Sequence, residues 1–570
     1  MPNTLPANRS VGTAAGILPS NPPTERTVCV LDGHSLTCEK LMELSTGNVE
    51  LTLSAAAWDK VNRGRHVIDQ ILDKNEVAYG INTGFGMFSD VIVAPDQLSQ
   101  LQVNLIRSHA AGVGPPLSRE RTRMLLALRV NVIACGHSGA RPETVEKMLA
   151  AFNKDCLSVV PCQGTVGASG DLAPLAHLCL GLLGEGLMWD PQSAEPKPAG
   201  EVLERHGLEP LQLGPKEGLA LINGTQLISS LGSEAVMRSI NVARCADITC
   251  ALSLEVLMGT HNAFHPKIHA ARPHSGQNLV ASRIRGLLEP EKPSKLFESH
   301  RYSGKVQDAY TLRCVAQVHG VVFETIDFVK RLLEVELNSA TDNPMIFTGG
   351  ADFYPTGSAK APVCTRGRIV SGDGAAASKG SAATTPAGVS SLSPIHSTPH
   401  DSSLNLDDSF PLLDGPDDAS DISDLNGARK EIQKMRALLK NFKQENTALN
   451  THLMETLLLG TSGFIISGGN FHGEYPAKAL DYLAIGIQEL ANISERRMER
   501  LVNPALSNLP AFLVQNGGLN SGFMIAHCTA AALTSENKVL CHPSSVDTLS
   551  TSAAKEDLVS LGEALRREVP

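Results

Sequence analysis

The chain has 570 residues, of which 42% are hydrophobic and 19% charged, with a net charge of −10. That balance belongs to a soluble globular protein with room for one large core or several smaller ones. The acidic charge and an aromatic content of only 4% exclude a basic nucleic-acid footprint and a base-stacking platform.

Residues 1–26 are rich in Pro, Asn, Ser and Thr and read as a disordered tail, with no charged start followed by an apolar run that would mark a secretory leader. Residues 27–215 mix short strands, glycine turns and helices. Residues 216–348 turn helical. There, LISSLGSEAVMRSINVARCADITCALSLEVLMG and AYTLRCVAQVHGVVFETIDFVKRLLEVELN repeat apolar residues every three or four positions without an internal proline. Helices that long and that apolar pack in a bundle or an oligomer.

Residues 349–463 break the pattern. A Ser/Ala/Gly/Pro-rich stretch cannot bury enough apolar surface to fold alone, and an acidic patch follows it. Next, Leu425, Ile432, Leu439, Asn446 and Leu453 share one heptad position, with Met435, Phe442 and Leu449 on the other. A single Asn on such a seam sets register in paired helices. Residues 428–457 therefore read as a short self-associating coiled coil, the alternative being an amphipathic helix lying on the main body. Residues 464–570 resume the helical style, so a globular sequence is split by an insert.

No apolar run reaches the ~18 residues of a membrane helix. The twelve cysteines include no CxxC pair and fit reduced thiols in a cytoplasmic protein. Cys245 and Cys250 precede His261 and His265, but the gap is too short for a zinc finger, and no metal is expected.

One bare stretch carries chemistry: GTVGASGDLAPL, Gly164 to Leu175. In a tight bend the amide nitrogen of Gly170 can attack the carbonyl carbon of Ala168, because neither residue has bulk to block approach. Loss of water closes a five-membered imidazolone. Loss of the Ser169 hydroxyl as a second water leaves an exocyclic methylene, a strong electrophile. Stored backbone strain is characteristic of such sites.

With its neighbours, this stretch resembles the signature of the aromatic amino acid ammonia-lyase family. YGINTGFG (Tyr79 to Gly86), RSHAAGVG (Arg107 to Gly114), KEGLALINGTQ (Lys216 to Gln226) and KVQDAYTLRC (Lys305 to Cys314) follow in the family's order. So do ELNSATDNP (Glu336 to Pro344), SGGNFHGE (Ser467 to Glu474) and GLNSGFMIAHCTAAALTSENK (Gly518 to Lys538). The likeness is strongest to the family's histidine-specific branch of animal type. It covers roughly residues 27–348 and 464–558.

The resemblance implies a mainly α fold, a long-helix bundle with a smaller mixed α/β N-terminal part carrying the prosthetic-group loop. It implies loss of ammonia from L-histidine to give trans-urocanate. The cofactor is 4-methylideneimidazole-5-one, made from Ala168, Ser169 and Gly170 without metal, and the sites are shared among subunits of a homotetramer. By matching positions, Tyr79 is the base and Tyr310 acts near the amine and the ring. His109 reads the substrate imidazole, Asn223 and Gln307 lie beside the ring, and Arg313 clamps the carboxylate. Phe471 is a pocket wall and Glu556 a carboxylate near the substrate ring.

Three departures qualify the match: Ala309 where many bacterial members have Pro, the insert, and Leu558 in place of a family His with the chain ending at Pro570. They keep open a catalytically inactive oligomerisation partner. A phenylalanine or tyrosine lyase is the third reading, opposed by Ser108-His109.

Overall fold

The computed structural model describes residues 26–74, 77–84, 91–167, 170–288, 292, 294–300, 306–348, 463–554 and 556–560. All of them belong to one packed unit. The low-complexity and heptad-patterned segment, the tail at 1–25, and Ala168 and Ser169 themselves lie outside the described residues.

The fold is mainly α, with only small sheets. In the N-terminal part β1 (Thr27–Leu31) pairs in parallel with β2 (Val49–Leu53). Helix α1 (Leu98–His109) leads into β3 (Val113–Pro116), which pairs antiparallel with β4 (Pro161–Gln163). Between those two strands runs α2 (Arg119–Ala134), whose N-terminus is capped by the Ser118 side chain accepting from the Arg121 N–H. Helix α3 (Leu172–Leu182) begins directly after the glycine loop, and α4 (Glu217–Ile222) ends at Asn223.

Three long helices make the body: α5 (Gln226–Val256), α8 (Val315–Leu337) and α9 (Glu474–Val502). They pack on one another, with α6 (Ser275–Leu288) against α8 and α10 (Met524–Leu540) against α9. Burial of their apolar faces, rather than intrinsic propensity, is what stabilises helices of this kind. The second helical run of the sequence is divided, into α7 (Tyr310–Arg313) and α8. Cys314, at φ −100° and ψ 15°, sits between them, yet Cys314 N–H still donates to Tyr310 O and Val318 N–H to Cys314 O. Helical bonding therefore runs through a local distortion.

Strands β5 (Met345–Phe347) and β6 (Phe464–Ile466) pair antiparallel, with Phe347 opposite Phe464. The chain thus leaves the packed unit and returns to it at the same place. Near the C-terminal end β7 (Thr548–Thr551) pairs with β8 (Glu556–Ser560).

Helices α5 and α9 start at one end of the bundle, where α8 finishes. Thr225, at the start of α5, donates to Glu336 near the end of α8 at 2.5 Å. At the other end Thr260 N–H donates to Asp308 Oδ2 at 2.6 Å, and Arg497 reaches Thr311 O. At a rise of about 1.5 Å per residue the 23 residues of α8 alone separate the two ends by about 35 Å. The main core lies at the first end, and a second cluster around Leu254, Phe264, Ile284 and Val315 lies at the other. Among the described residues no helix is long and apolar enough to cross a membrane.

Candidate active site

The glycine loop lies at the first end. Gly164, Gly167 and Gly170 all take positive φ, at 148°, 82° and 83°. Only glycine adopts such angles without strain. Space is just as restrictive. A Cβ on Gly170 would stand 2.9 Å from Gly224 N, and one on Gly473 would stand 2.3 Å from Gly167 O. Gly473 N–H donates to Gly167 O at 2.8 Å, and Asp171 N–H donates to Gly224 O at 2.6 Å. The loop is thus gripped by the turn before α5 on one side and the start of α9 on the other.

Asp171 fixes this arrangement. Its buried carboxylate accepts from Leu227 N–H at 2.8 Å and Ile228 N–H at 3.0 Å. These are orphan donors of the first turn of α5, where the helix dipole favours a negative charge. Behind the turn, fully buried Arg129 donates to Asn223 O at 2.7 Å and to Gln226 Oε1 at 2.8 Å, and pairs with buried Asp342 at 3.3 Å. Burial pulls the Arg129 guanidinium below its ordinary pKa, and Asp342 opposes that shift. Glu336 is held above the usual carboxyl range by burial, against the hydrogen bond from Thr225.

Asn223 itself is buried, and its Oδ1 has no hydrogen-bond partner among the described residues. A buried acceptor left unpaired costs about 1–3 kcal/mol.

Other predicted residues gather at this end. His109 closes α1, with Nδ1 2.9 Å from Leu105 O and 3.0 Å from Ser108 Oγ. The segment after it touches the loop, since a Cβ on Gly164 would stand 2.9 Å from Gly112 Cα. Tyr79 packs against the main core beside Gly80, which abuts Leu219 of α4. Phe471 is half-buried two residues before Gly473. Glu556 starts β8 and accepts from Thr551 Oγ1 at 2.5 Å, and His472 Nε2 lies 3.3 Å from Leu558 O. That contact brings β8 against the SGGNFHGE turn.

Gln307, Tyr310 and Arg313 are not brought here. They cluster at the far end, on α7 and the chain entering it. The Arg313 guanidinium lies over the Tyr310 ring at 4.7 Å and donates through Nε to Asp308 O at 2.9 Å. With the Gln307 amide oxygen turned toward it, Arg313 Nη1 donates at 2.8 Å. Tyr310 is 70% exposed. No hydrogen bond or ion pair among the described residues links this trio to the loop.

A scan against family models matches the description "Aromatic amino acid lyase" over residues 36–370 and 437–569. The chain belongs to the aromatic amino acid lyase family. The match reaches into both flanks of the segment read as an insert, leaving 371–436 outside it. Histidine ammonia-lyase of Rattus norvegicus is 50% identical over 533 residues, which is 93% of this chain but 64% of that protein. The chain therefore spans less than two thirds of the length of its animal relatives. Histidine ammonia-lyase of Anaeromyxobacter dehalogenans is 41% identical, over 94% of this chain and 84% of that protein. The crystal structure of histidine ammonia-lyase from Trypanosoma cruzi superposes with a TM-score of 0.68 at 44% identity, covering 95% of this chain and 80% of that one.

Sequence reasoning missed Asp171, Gly224 and Arg129 as parts of this candidate site. Arg129 left a signal: a lone arginine inside MLLALRVNVIA must be buried with partners. Among the described residues no three His, Cys, Asp or Glu side chains gather to hold a metal.

Proposed function

We infer that the chain is a histidine ammonia-lyase, converting L-histidine to trans-urocanate and ammonia. The observation that carries this is the wedged loop. Glycine backbone at positive φ, gripped from two sides by Gly224 and Gly473, supplies the tight bend that closure of the Gly170 nitrogen onto Ala168 would need. The unpartnered Asn223 oxygen beside it fits a donor on the substrate. The imidazolone from Ala168, Ser169 and Gly170 supplies an electrophilic methylene that activates the substrate amine as a leaving group.

The chain's own residues do the rest. Tyr79 takes the β-proton as general base. His109 hydrogen-bonds the substrate imidazole, which favours histidine over phenylalanine or tyrosine. Arg313 clamps the carboxylate with its planar fork, Gln307 orients it, and Tyr310 serves the amine. Phe471 walls the pocket and Glu556 faces the substrate ring.

This chemistry needs more than one chain. Arg313 and Gly170 lie about 35 Å apart within a chain, so a working site combines the loop of one subunit with the Gln307–Tyr310–Arg313 cluster of another. The helices carry the apolar surface such an assembly requires: Ile248 and Leu252 on α5, Val321 and Val335 on α8, and Ile525 and Val539 on α10 are all exposed. A homotetramer built on these faces satisfies both demands. The free thiols of all eleven described cysteines suit the cytoplasm.

The test is urocanate formation from L-histidine, followed by ultraviolet absorbance, with Ser169→Ala alongside. Mass spectrometry of the peptide holding residues 168–170 reads the ring directly, as a loss of two waters. Turnover and that mass loss, both absent in Ser169→Ala, are expected. A folded wild-type chain with neither would leave an inactive assembly partner as the better reading.

A further inference from the structure

The segment after His109 is joined to α3, the helix that follows the glycine loop, by a residue to which the site has so far given no role. His177 lies on α3, and its Nε2 accepts the backbone N–H of Gly112 at 3.0 Å. Gly112 follows Ser108-His109-Ala110-Ala111 directly. A Cβ on Gly112 would stand 3.3 Å from both Nε2 and Cδ2 of His177 and 3.0 Å from Gln163 O. On the other side, Gly112 Cα is the atom that a Cβ on Gly164 would meet at 2.9 Å. Three segments meet at this pair of glycines: the one presenting His109, the first residue of the loop, and the helix that leaves it. A side chain at Gly164 would force a shift, and one at Gly112 would be tight.

The hydrogen bond sets the state of the imidazole. Nε2 accepts only when it carries no proton, so His177 is neutral with its proton on Nδ1. Its surroundings agree. The ring is half-buried where α3 packs on α1. Arg107 on α1 and Glu185 beyond α3 are engaged with each other in a bidentate pair at 2.6 and 2.9 Å. His109, on α1, is engaged with Leu105 O and Ser108 Oγ. Gln163, on β4, is neutral. Among the described residues no hydrogen bond or ion pair ties a carboxylate to His177, and burial pushes its pKa below its ordinary 6.5.

The geometry points to His177 as a positioning residue: its Nε2 latches the segment that presents His109 onto the helix that follows the glycine loop, so that substrate reading and the loop move as one body. This rests on the reading of His109 as the residue that holds the substrate imidazole. The latch is closed while His177 is neutral and opens as pH falls through its lowered pKa.

Three forms of the full chain test it: wild type, His177→Gln and His177→Leu. Glutamine can offer an amide oxygen near the place of Nε2 and does not titrate, whereas leucine offers no acceptor. The first readout is peptide-resolved amide hydrogen exchange over residues 109–116, which needs no turnover. At about pH 8 the leucine variant should lose about tenfold protection at Gly112, the loss of one hydrogen bond, while the glutamine variant keeps it. On acidification, protection corrected for intrinsic exchange should fall in wild type but not in His177→Gln.

The second readout is steady-state kinetics. KM for L-histidine should rise about tenfold in His177→Leu with kcat changed far less, and return toward wild type in His177→Gln. Equal protection in the wild-type and leucine forms would overturn the latch. Lost protection with an unchanged KM would overturn its role in reading substrate. If the leucine form does not fold, a glutamine form that retains the wild-type acid dependence would overturn the proposal. A wild-type chain without turnover would sink the enzymatic reading, and with it the positioning role, while the exchange data still decide whether the latch exists.

Discussion

The two ends of the helix bundle are built in opposite ways. At the loop end every element is gripped. Gly170 lies against Gly224, Gly167 against Gly473, Asp171 caps α5, and Arg129 is 0% exposed behind the turn. At the far end Arg313 lies over the Tyr310 ring and hydrogen-bonds Gln307, and Tyr310 is 70% exposed. Under the function proposed above, the first end is the electrophile cradle and the second the substrate clamp. On that reading one chain carries two half-sites rather than one site.

The largest effects should follow from breaking the loop end. Asp171→Ala removes the acceptor for two helix N–H groups and frees the Gly170 side of the loop. Unfolding free energy should fall by about 2 kcal/mol, read by denaturant titration. The peptide holding residues 168–170 should stay heavier by the two waters that ring closure would expel. At the far end, Tyr310→Phe should lower kcat by roughly 10²–10⁴-fold while the ring still forms, since that end plays no part in cyclisation.

Arg313→Ala should raise KM for L-histidine by roughly 10–100-fold, the loss of a charge-assisted pair, with kcat much less altered. A fall in kcat at constant KM would refute the clamp. The smallest effect should come from the surface between the ends. Leu252→Asp places a charge on an exposed apolar face of α5. It should shift the assembly toward smaller species in sedimentation velocity and change the stability of the isolated fold by about 0.5 kcal/mol or less.

Much of the loop end was legible because its information is local. Three glycines in seven residues state the conformation, all three taking positive φ, and the Ala-Ser-Gly core among them is the basis of the proposed chemistry. The long helices were legible from apolar period. The distance between half-sites was not. It depends on the direction in which α5, α8 and α9 run, and no spacing along the sequence encodes that. Buried partners were hidden for the same reason, since Arg129 meets Asp342 and His177 meets Gly112 only through tertiary packing. The break at Cys314 was hidden by an unbroken apolar rhythm. The segment at 349–463 announced itself by composition, and the pairing of Phe347 with Phe464 fits an insertion between adjacent strands.

The most direct test of the two-half-site account is complementation between chains. Ser169→Ala, which lacks the electrophile, and Tyr310→Phe, which lacks the far-end hydroxyl, would be purified apart and then co-expressed. Each alone should be nearly inactive. Mixed oligomers should regain a clear fraction of wild-type urocanate formation, because some sites then pair an intact loop from one subunit with an intact far end from another. Activity no greater than the sum of the two variants, from oligomers shown by mass to contain both chains, would contradict the account.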